Sequence, residues 1–222
     1  VDRNRIGILG ICGWGGMALN AASMDTRVKA VATSVMYDMS RAMGHGVGDG
    51  KDRYSTSDRR AVLQYLNAQR WKDAENGTFA HGGHDIYVDE NGKVTAAERI
   101  LPEALPDNPN PVLKEFFDYY RMPRGFHARS VNSTGAWTAT TPLSFMNMPL
   151  LSYGREITIP TLIVTGEKAH SRYFAEDAFK AVGSKQKELV IVPGANHVDL
   201  YDNVAGKIPF AQFEHFFKTS LN

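Results

Sequence analysis

One cysteine in 222 residues excludes an internal disulfide, and a lone thiol does not decide the redox compartment. Charge of neither sign is in excess. The 25 Lys and Arg against 24 Asp and Glu leave a formal +1, which gives no basic field for nucleic acid and no acidic tail. Long apolar runs are also missing: stretches such as Leu189 to Val192 fall far below the roughly 20 residues of a membrane span. The chain starts at Val1 with neither a methionine nor a signal segment. A processed piece, a fragment or a trimmed product is therefore expected, and an export signal could have been lost with whatever preceded it. The compartment stays open on these grounds, leaning to the cytoplasm. What is present, 43% hydrophobic and 22% charged residues, is ordinary for a globular chain with one sizeable core and one or at most two domains.

The most informative stretch is Ile6-Gly7-Ile8-Leu9-Gly10-Ile11-Cys12-Gly13-Trp14-Gly15-Gly16. It runs an apolar strand into a glycine-lined turn and then into the helix-forming Met17 to Ala22. That is the layout of a nucleophile elbow, where a tight strand-to-helix turn lifts one side chain above the sheet edge. The motif reads G-x-nucleophile-x-G, and no single register satisfies it here. Counted from the strand, Cys12 is the nucleophile and Trp14 stands where a glycine belongs. Counted back from Gly15 and Gly16, Trp14 itself holds the nucleophile's place, and sterics favour this second register because Cys12 and Gly16 are both small.

Hydrophobic patterning organises the rest. Arg5 to Leu9 reads as a buried strand, Gly15 to Ser23 as a helix, and Val28 to Val35 as a β-branched second strand. Strand, helix and strand over about thirty residues make a βαβ unit with parallel pairing. Thr161 to Thr165 is a third strand and Glu188 to Val192 a fourth, with Arg172 to Val182 helical between them and Ile208 to Leu221 an amphipathic closing helix. The intervening segment does not alternate in this way. Ser57 is a plausible N-cap for a helix through about Lys72 with Val62, Leu63, Leu66 and Trp71 as apolar positions. Ile86 to Val94 reads as a hairpin with a type I′ turn at Asn91-Gly92, and Pro111 and Pro142 start two further helices. The spacing divides the chain into a core, 1–39 and 155–222, and a cap insertion, 40–154, expected over the carboxyl ends of the strands, where open α/β sheets bind ligands.

The strand order, the elbow-like turn and the late run Gly194-Ala195-Asn196-His197-Val198-Asp199-Leu200-Tyr201-Asp202 together resemble the α/β-hydrolase fold. More narrowly they are similar to dienelactone-hydrolase-related bacterial hydrolases, which often show a G-I-C-x-S-G-G elbow and a G-A-T-H-x-D-L-Y-D histidine loop. The resemblance covers essentially the whole chain. It implies an α/β class with a parallel sheet, a helical cap insertion, and amino-terminal strands absent from this chain, since the fold builds four strands before the elbow strand. One oxyanion N–H comes from the residue after the nucleophile, here Gly13, and the other from a loop in that absent half. Losing one such donor costs about 10²–10³ in rate.

His197, on a loop after the last strand, can reach the elbow as general base, because imidazole titrates near operating pH. Cys12 is a competent nucleophile where an imidazole and a helix N-terminus lower its pKa; as a structural residue it is a small buried side chain in a tight turn. Relatives place an acid in a turn after the third strand, where Ala169 or His170 stands here. Glu167 in the same turn and Asp38 after the second strand are the two replacements able to orient the imidazole. Trp14, Tyr37 and His170 are the expected pocket residues. His81 and His84 lack a clear third metal ligand. The hairpin explains Asp89 to Glu98 better than a calcium loop does. Gly44 to Gly50 lacks the lysine-serine pair of a phosphate cradle.

The reading is thus a hydrolase of a small-to-medium ester or related acyl compound, needing no metal or organic cofactor, with Cys12 attacking, His197 moving the proton, Glu167 or Asp38 orienting it and Gly13 holding the oxyanion. The rival is a catalytically degraded hydrolase fold that binds a small apolar ligand. A third reading is a structural subunit completing its sheet with a separate amino-terminal polypeptide. A homo-oligomer is compatible with all three.

Overall fold

A computed structural model describes residues 2–48, 50–83 and 85–222. In chain order the elements are β1 (Ile6–Ile11), α1 (Gly13–Met24), β2 (Val28–Ser34), α2 (Met39–His45), α3 (Thr56–Asn76), β3 (His81–Gly82), β4 (Ile86–Val88) and β5 (Val94–Ala96). There follow α4 (Pro111–Tyr120), α5 (Val131–Thr134), β6 (Trp137–Thr138), α6 (Thr141–Met146), β7 (Thr161–Gly166), α7 (Arg172–Ala181), β8 (Lys187–Val192) and α8 (Phe210–Ser220). The chain divides into two compact units, one of Val1–Met39, Asp49–Lys51 and Pro149–Asn222, the other of Ser40–Gly48 and Asp52–Met148.

The first unit is built on a four-stranded sheet in the order β1-β2-β7-β8, parallel throughout. Side chains alternate across it with the two-residue period of a strand. Val31 and Ile163 face one way and pack with Leu19, Ala175 and Ala178 of α1 and α7. Ala32, Leu162 and Val164 face the other way, onto Phe213 of α8. The inner strands β2 and β7 are therefore covered on both faces, as their β-branched content requires. The outermost strand β1 is less covered, with Leu9 and Ile11 exposed.

The second unit rests on α3. Its N-cap is Ser55 rather than Ser57: the Ser55 hydroxyl accepts from Asp58 N, and the Asp58 carboxylate accepts from Ser55 N. That reciprocal pair satisfies two N–H groups at the helix start, and the helix runs on to Asn76, stopped by Gly77 at φ 65°. Val62 and Leu66 pack against Ile86 of the β4–β5 hairpin. Trp71, expected on that apolar face, is exposed. The hairpin turn is not type I′, since Gly92 alone in it has positive φ and type I′ needs two such residues. Asp89 Oδ1 instead accepts from Asn91 N and Lys93 N, which ties the side chain into the hairpin turn. The unit also holds two small antiparallel sheets, β3–β6 and β4–β5, so it is not purely helical. No helix among the described residues is long and apolar enough to cross a membrane.

Gly10 in β1 carries a checkable constraint. A Cβ there would meet the Trp14 carbonyl oxygen at 2.4 Å and Ala18 Cβ at 2.7 Å, both fixed by α1. Gly10→Ala is expected to cost about 1–3 kcal/mol through overpacking. Urea unfolding would read this as a lowered midpoint, and an unchanged midpoint would contradict the packing described.

Candidate active site

The carboxyl ends of all four parallel strands converge in the first unit, and each supplies a polar side chain. β1 runs into Cys12, which stands at φ 56° and ψ −127°, a left-handed conformation that costs a non-glycine residue of order 1–3 kcal/mol. Backbone hydrogen bonds hold it there. Cys12 N donates to Ser34 O at 3.0 Å, and Cys12 O accepts from Gly15 N and Tyr37 N, each at 2.9 Å. The neighbouring exit from β2 is strained too, with buried Val35 at φ 42°.

The two registers of the turn place different demands on Cys12 and Trp14. The strained residue between strand and helix is Cys12, and Trp14 lies within α1, 72% exposed. The small residues are needed elsewhere. A Cβ on Gly15 would meet Met36 Cβ at 2.4 Å, and one on Gly16 would meet Tyr37 O at 2.5 Å. Gly15 and Gly16 thus let α1 lie against the segment after β2. Trp14 turns outward, which is how the turn tolerates an indole two residues past Cys12.

His197 follows β8 on a loop that is tied down on both sides. Asn196 and Asp199 exchange hydrogen bonds of 3.1 and 2.8 Å, and Lys207 Nζ donates to Asp199 and to Gly194 O, both at 2.8 Å. The imidazole is fully buried. Its Nδ1 meets Ser171 Oγ at 2.7 Å and its Nε2 meets the Tyr201 hydroxyl at 2.9 Å. Tyr37 and His170 complete the cluster. Their hydroxyl and Nε2 are hydrogen-bonded, and their rings lie 5.3 and 5.0 Å from that of His197.

Of the two carboxylates expected to orient the imidazole, Glu167 is placed elsewhere. Glu167 is exposed and accepts from Gly194 N at 2.7 Å, bracing the loop instead of the ring. Asp38 is buried, and its Cα lies beside Gly16 at the start of α1. The Nδ1 side is met by a hydroxyl, Ser171, one residue beyond His170. Ser171 and Tyr201 were not singled out from the sequence. Tyr201 had a usable signal, since a tyrosine four residues after a histidine shares its face on a helical turn. Ser171 had none beyond its place in the turn. Among the described residues no group of three or more His, Cys, Asp and Glu could hold a metal ion. His84, and Asp49 of the glycine-rich run, lie outside them.

Electrostatically the pair rests neutral. Burial pushes the Cys12 thiol above its usual 9.0, partly opposed by hydrogen bonds from the Tyr201 hydroxyl and the Gly13 amide. Burial, and secondarily His170, hold His197 well below 6.5. At neutral pH both the Cys12 thiol and the His197 imidazole are therefore uncharged, and a neutral imidazole is the protonation state that a general base needs.

Neighbours among solved structures share this architecture. The crystal structure of the α/β hydrolase GrgF from Penicillium superposes with a TM-score of 0.66 at 17% identity, covering all of this chain and 65% of that one. The fold is that of the α/β hydrolases. Over all 222 residues the chain is 50% identical to "Uncharacterized protein PA2218" of Pseudomonas aeruginosa, of which it covers 54%. The crystal structure of PA2218 superposes with a TM-score of 0.86 over all of this chain and 62% of its own. Over 206 residues the chain is 28% identical to "Uncharacterized protein YcjY" of Escherichia coli, covering 92% of this chain and 60% of that one. The chain thus spans little more than half the length of the curated relatives it matches. No family model matches it.

The buried His197 makes stability pH-dependent. Below 6.5 the unfolded chain takes up a proton that the folded chain resists. The stabilisation is whole above that value and falls as pH drops, by at most about 1.4 kcal/mol per pH unit for one site. Urea midpoints of the wild type should decline from pH 7 to pH 5, and His197→Gln should flatten that decline. Parallel declines would contradict the assignment.

Proposed function

We propose that this chain carries the nucleophile and the base of an acyl hydrolase acting on a small-to-medium ester or related acyl compound. The observation that carries the proposal is Cys12 at positive φ between β1 and α1, at the same end of the sheet as the buried His197. Cys12 Sγ attacks the substrate carbonyl while its proton passes to His197; the tetrahedral intermediate then expels the alkoxide, which takes that proton from His197 and leaves as the alcohol, giving a thioester beside a neutral imidazole. Water, deprotonated by His197, then hydrolyses the thioester and restores the thiol. Gly13 N–H, at the helix start, donates to the tetrahedral oxyanion. Ser171 takes the place of the orienting acid. Its oxygen accepts from Nδ1–H, which makes Nε2 the unprotonated nitrogen and so the one that takes the proton.

Two aspects of the resemblance support the same reading. A relationship to dienelactone-type hydrolases fits a cysteine at the elbow, and residues 40–154 fit a cap insertion. A further strand, from a separate amino-terminal polypeptide, would pair along the exposed edge of β1.

A second reading, ligand binding without turnover, is favoured by one observation: the elevated thiol pKa keeps Cys12 protonated at neutral pH. An activated p-nitrophenyl ester separates the two. Intact-mass spectrometry should detect a single acyl adduct on Cys12. Cys12→Ala should remove it, and His197→Ala should slow its formation by about 10²–10⁴, the usual contribution of a general base. Ser171→Ala should slow it less, and Ser171→Asp should retain it. A wild-type chain that takes no acyl group, yet is protected from thiol alkylation by an apolar ester, would decide for binding.

A further inference from the structure

Both ring nitrogens of His197 are hydrogen-bonded, and the two hydroxyls that meet them are placed unequally. Ser171 Oγ lies 2.7 Å from Nδ1, and the Tyr201 hydroxyl lies 2.9 Å from Nε2. Ser171 is fully buried, like the imidazole itself, whereas Tyr201 is only partly buried. Tyr201 ends the short 3-10 turn Val198–Leu200, which is anchored by buried Val198 and Leu200. Beyond it the chain reaches solvent, with Val204 74% exposed. Residues four apart on a helical turn share one face, so the phenol lies edge-on to the imidazole, with ring centroids 5.3 Å apart and planes at 76°.

A neutral imidazole has one N–H and one accepting nitrogen. With Nδ1–H given to Ser171, the accepting nitrogen is Nε2, and the phenol O–H donates to it. The atom that must take up a proton in the hydrolase reading is therefore already hydrogen-bonded at rest. The leaving oxygen of an ester must also come within hydrogen-bond reach of Nε2 to receive its proton, and the phenol oxygen occupies such a position.

We propose that Tyr201 is a removable cap on His197: its hydroxyl holds Nε2 at rest and withdraws when the alcohol oxygen of an acyl substrate takes its place. This rests on the reading of His197 as the base. The exchange is inexpensive, because a neutral hydrogen bond contributes little net stability and the incoming oxygen replaces the one lost. Ser171 stays in place throughout, so the ring keeps its tautomer and its plane while its other partner changes.

The test reads His197 itself and needs no ester turnover, so failure of the cap and failure of the hydrolase reading remain distinct. Diethyl pyrocarbonate acylates an unprotonated imidazole nitrogen and releases monoethyl carbonate. Peptide mass spectrometry on the intact chain at neutral pH reads the rate at each histidine, with His215, exposed on α8, as the internal reference. In Tyr201→Phe, which keeps the ring, His197 should react about fivefold faster than in the wild type, equivalent to about 1 kcal/mol for one hydrogen bond. Replacing Tyr201 by 3-fluorotyrosine keeps the shape while making the phenol a stronger donor, and should slow the reaction; if Tyr201→Phe folds poorly, this replacement decides alone. A ring that only packed against the imidazole would not give opposite shifts. The acyl adduct on Cys12 should also form faster in Tyr201→Phe. A His197 rate unmoved by these replacements, or an adduct that forms more slowly in Tyr201→Phe, would overturn the cap. Opposite shifts in a chain that takes up no acyl group would leave Tyr201 as the cap and reject the hydrolase.

Discussion

The conformation of one residue organises this site. Cys12 stands at positive φ because its carbonyl is claimed by Gly15 N and Tyr37 N while its amide is committed to Ser34 O. Those bonds join β1, the start of α1 and the exit of β2. The glycines around the turn follow from the same demand for close approach: Gly10 lies against the Trp14 carbonyl and Ala18, Gly15 against Met36, and Gly16 against the Tyr37 carbonyl. Strain of this kind persists only where the surroundings over-determine it. Here they do so on both sides, and the neighbouring Val35 is strained as well.

The second organising choice is the use of hydroxyls around His197. A carboxylate at Nδ1 would stabilise an imidazolium and raise the pKa of the ring. Ser171 supplies a hydrogen bond without a full charge, and burial keeps the imidazole neutral. The thiol is likewise held neutral. Under the proposed hydrolase reading, charge would arise only with the reaction, and preorganised dipoles such as the Gly13 amide would meet it at little reorganisation cost.

Much of the fold was legible because it rests on patterns that tertiary context reinforces. The β-branched runs at Val28 and Thr161 form the buried inner strands, and the Phe-rich closing helix packs on one face of the sheet. The boundaries that slipped did so for local reasons. The helix after Tyr54 starts at Ser55 because Asp58 completes a capping box there, which pattern reading placed two residues late. The site was legible only in part. His197 and Cys12 lie in recognisable turns, but Trp14 misled because motif spacing cannot show which way a side chain points. Glu167 misled because a carboxylate in the expected turn served the backbone of the neighbouring loop. Ser171 lay hidden because hydroxyls are common in turns, and what distinguishes this one is burial beside a ring 26 positions later.

The strand that delivers Cys12 is also the outermost strand of its sheet, with Leu9 and Ile11 open to solvent. Edge strands present unpaired backbone groups that readily accept another strand. Any polypeptide that pairs there bears on the residues leading into the strained turn. Thermodynamic linkage then ties two otherwise separate quantities together: a partner whose binding changes the ease of modifying Cys12 must itself bind more tightly, or less, to the modified chain by the same factor. The occupancy of the β1 edge and the covalent state of the thiol would report on one another.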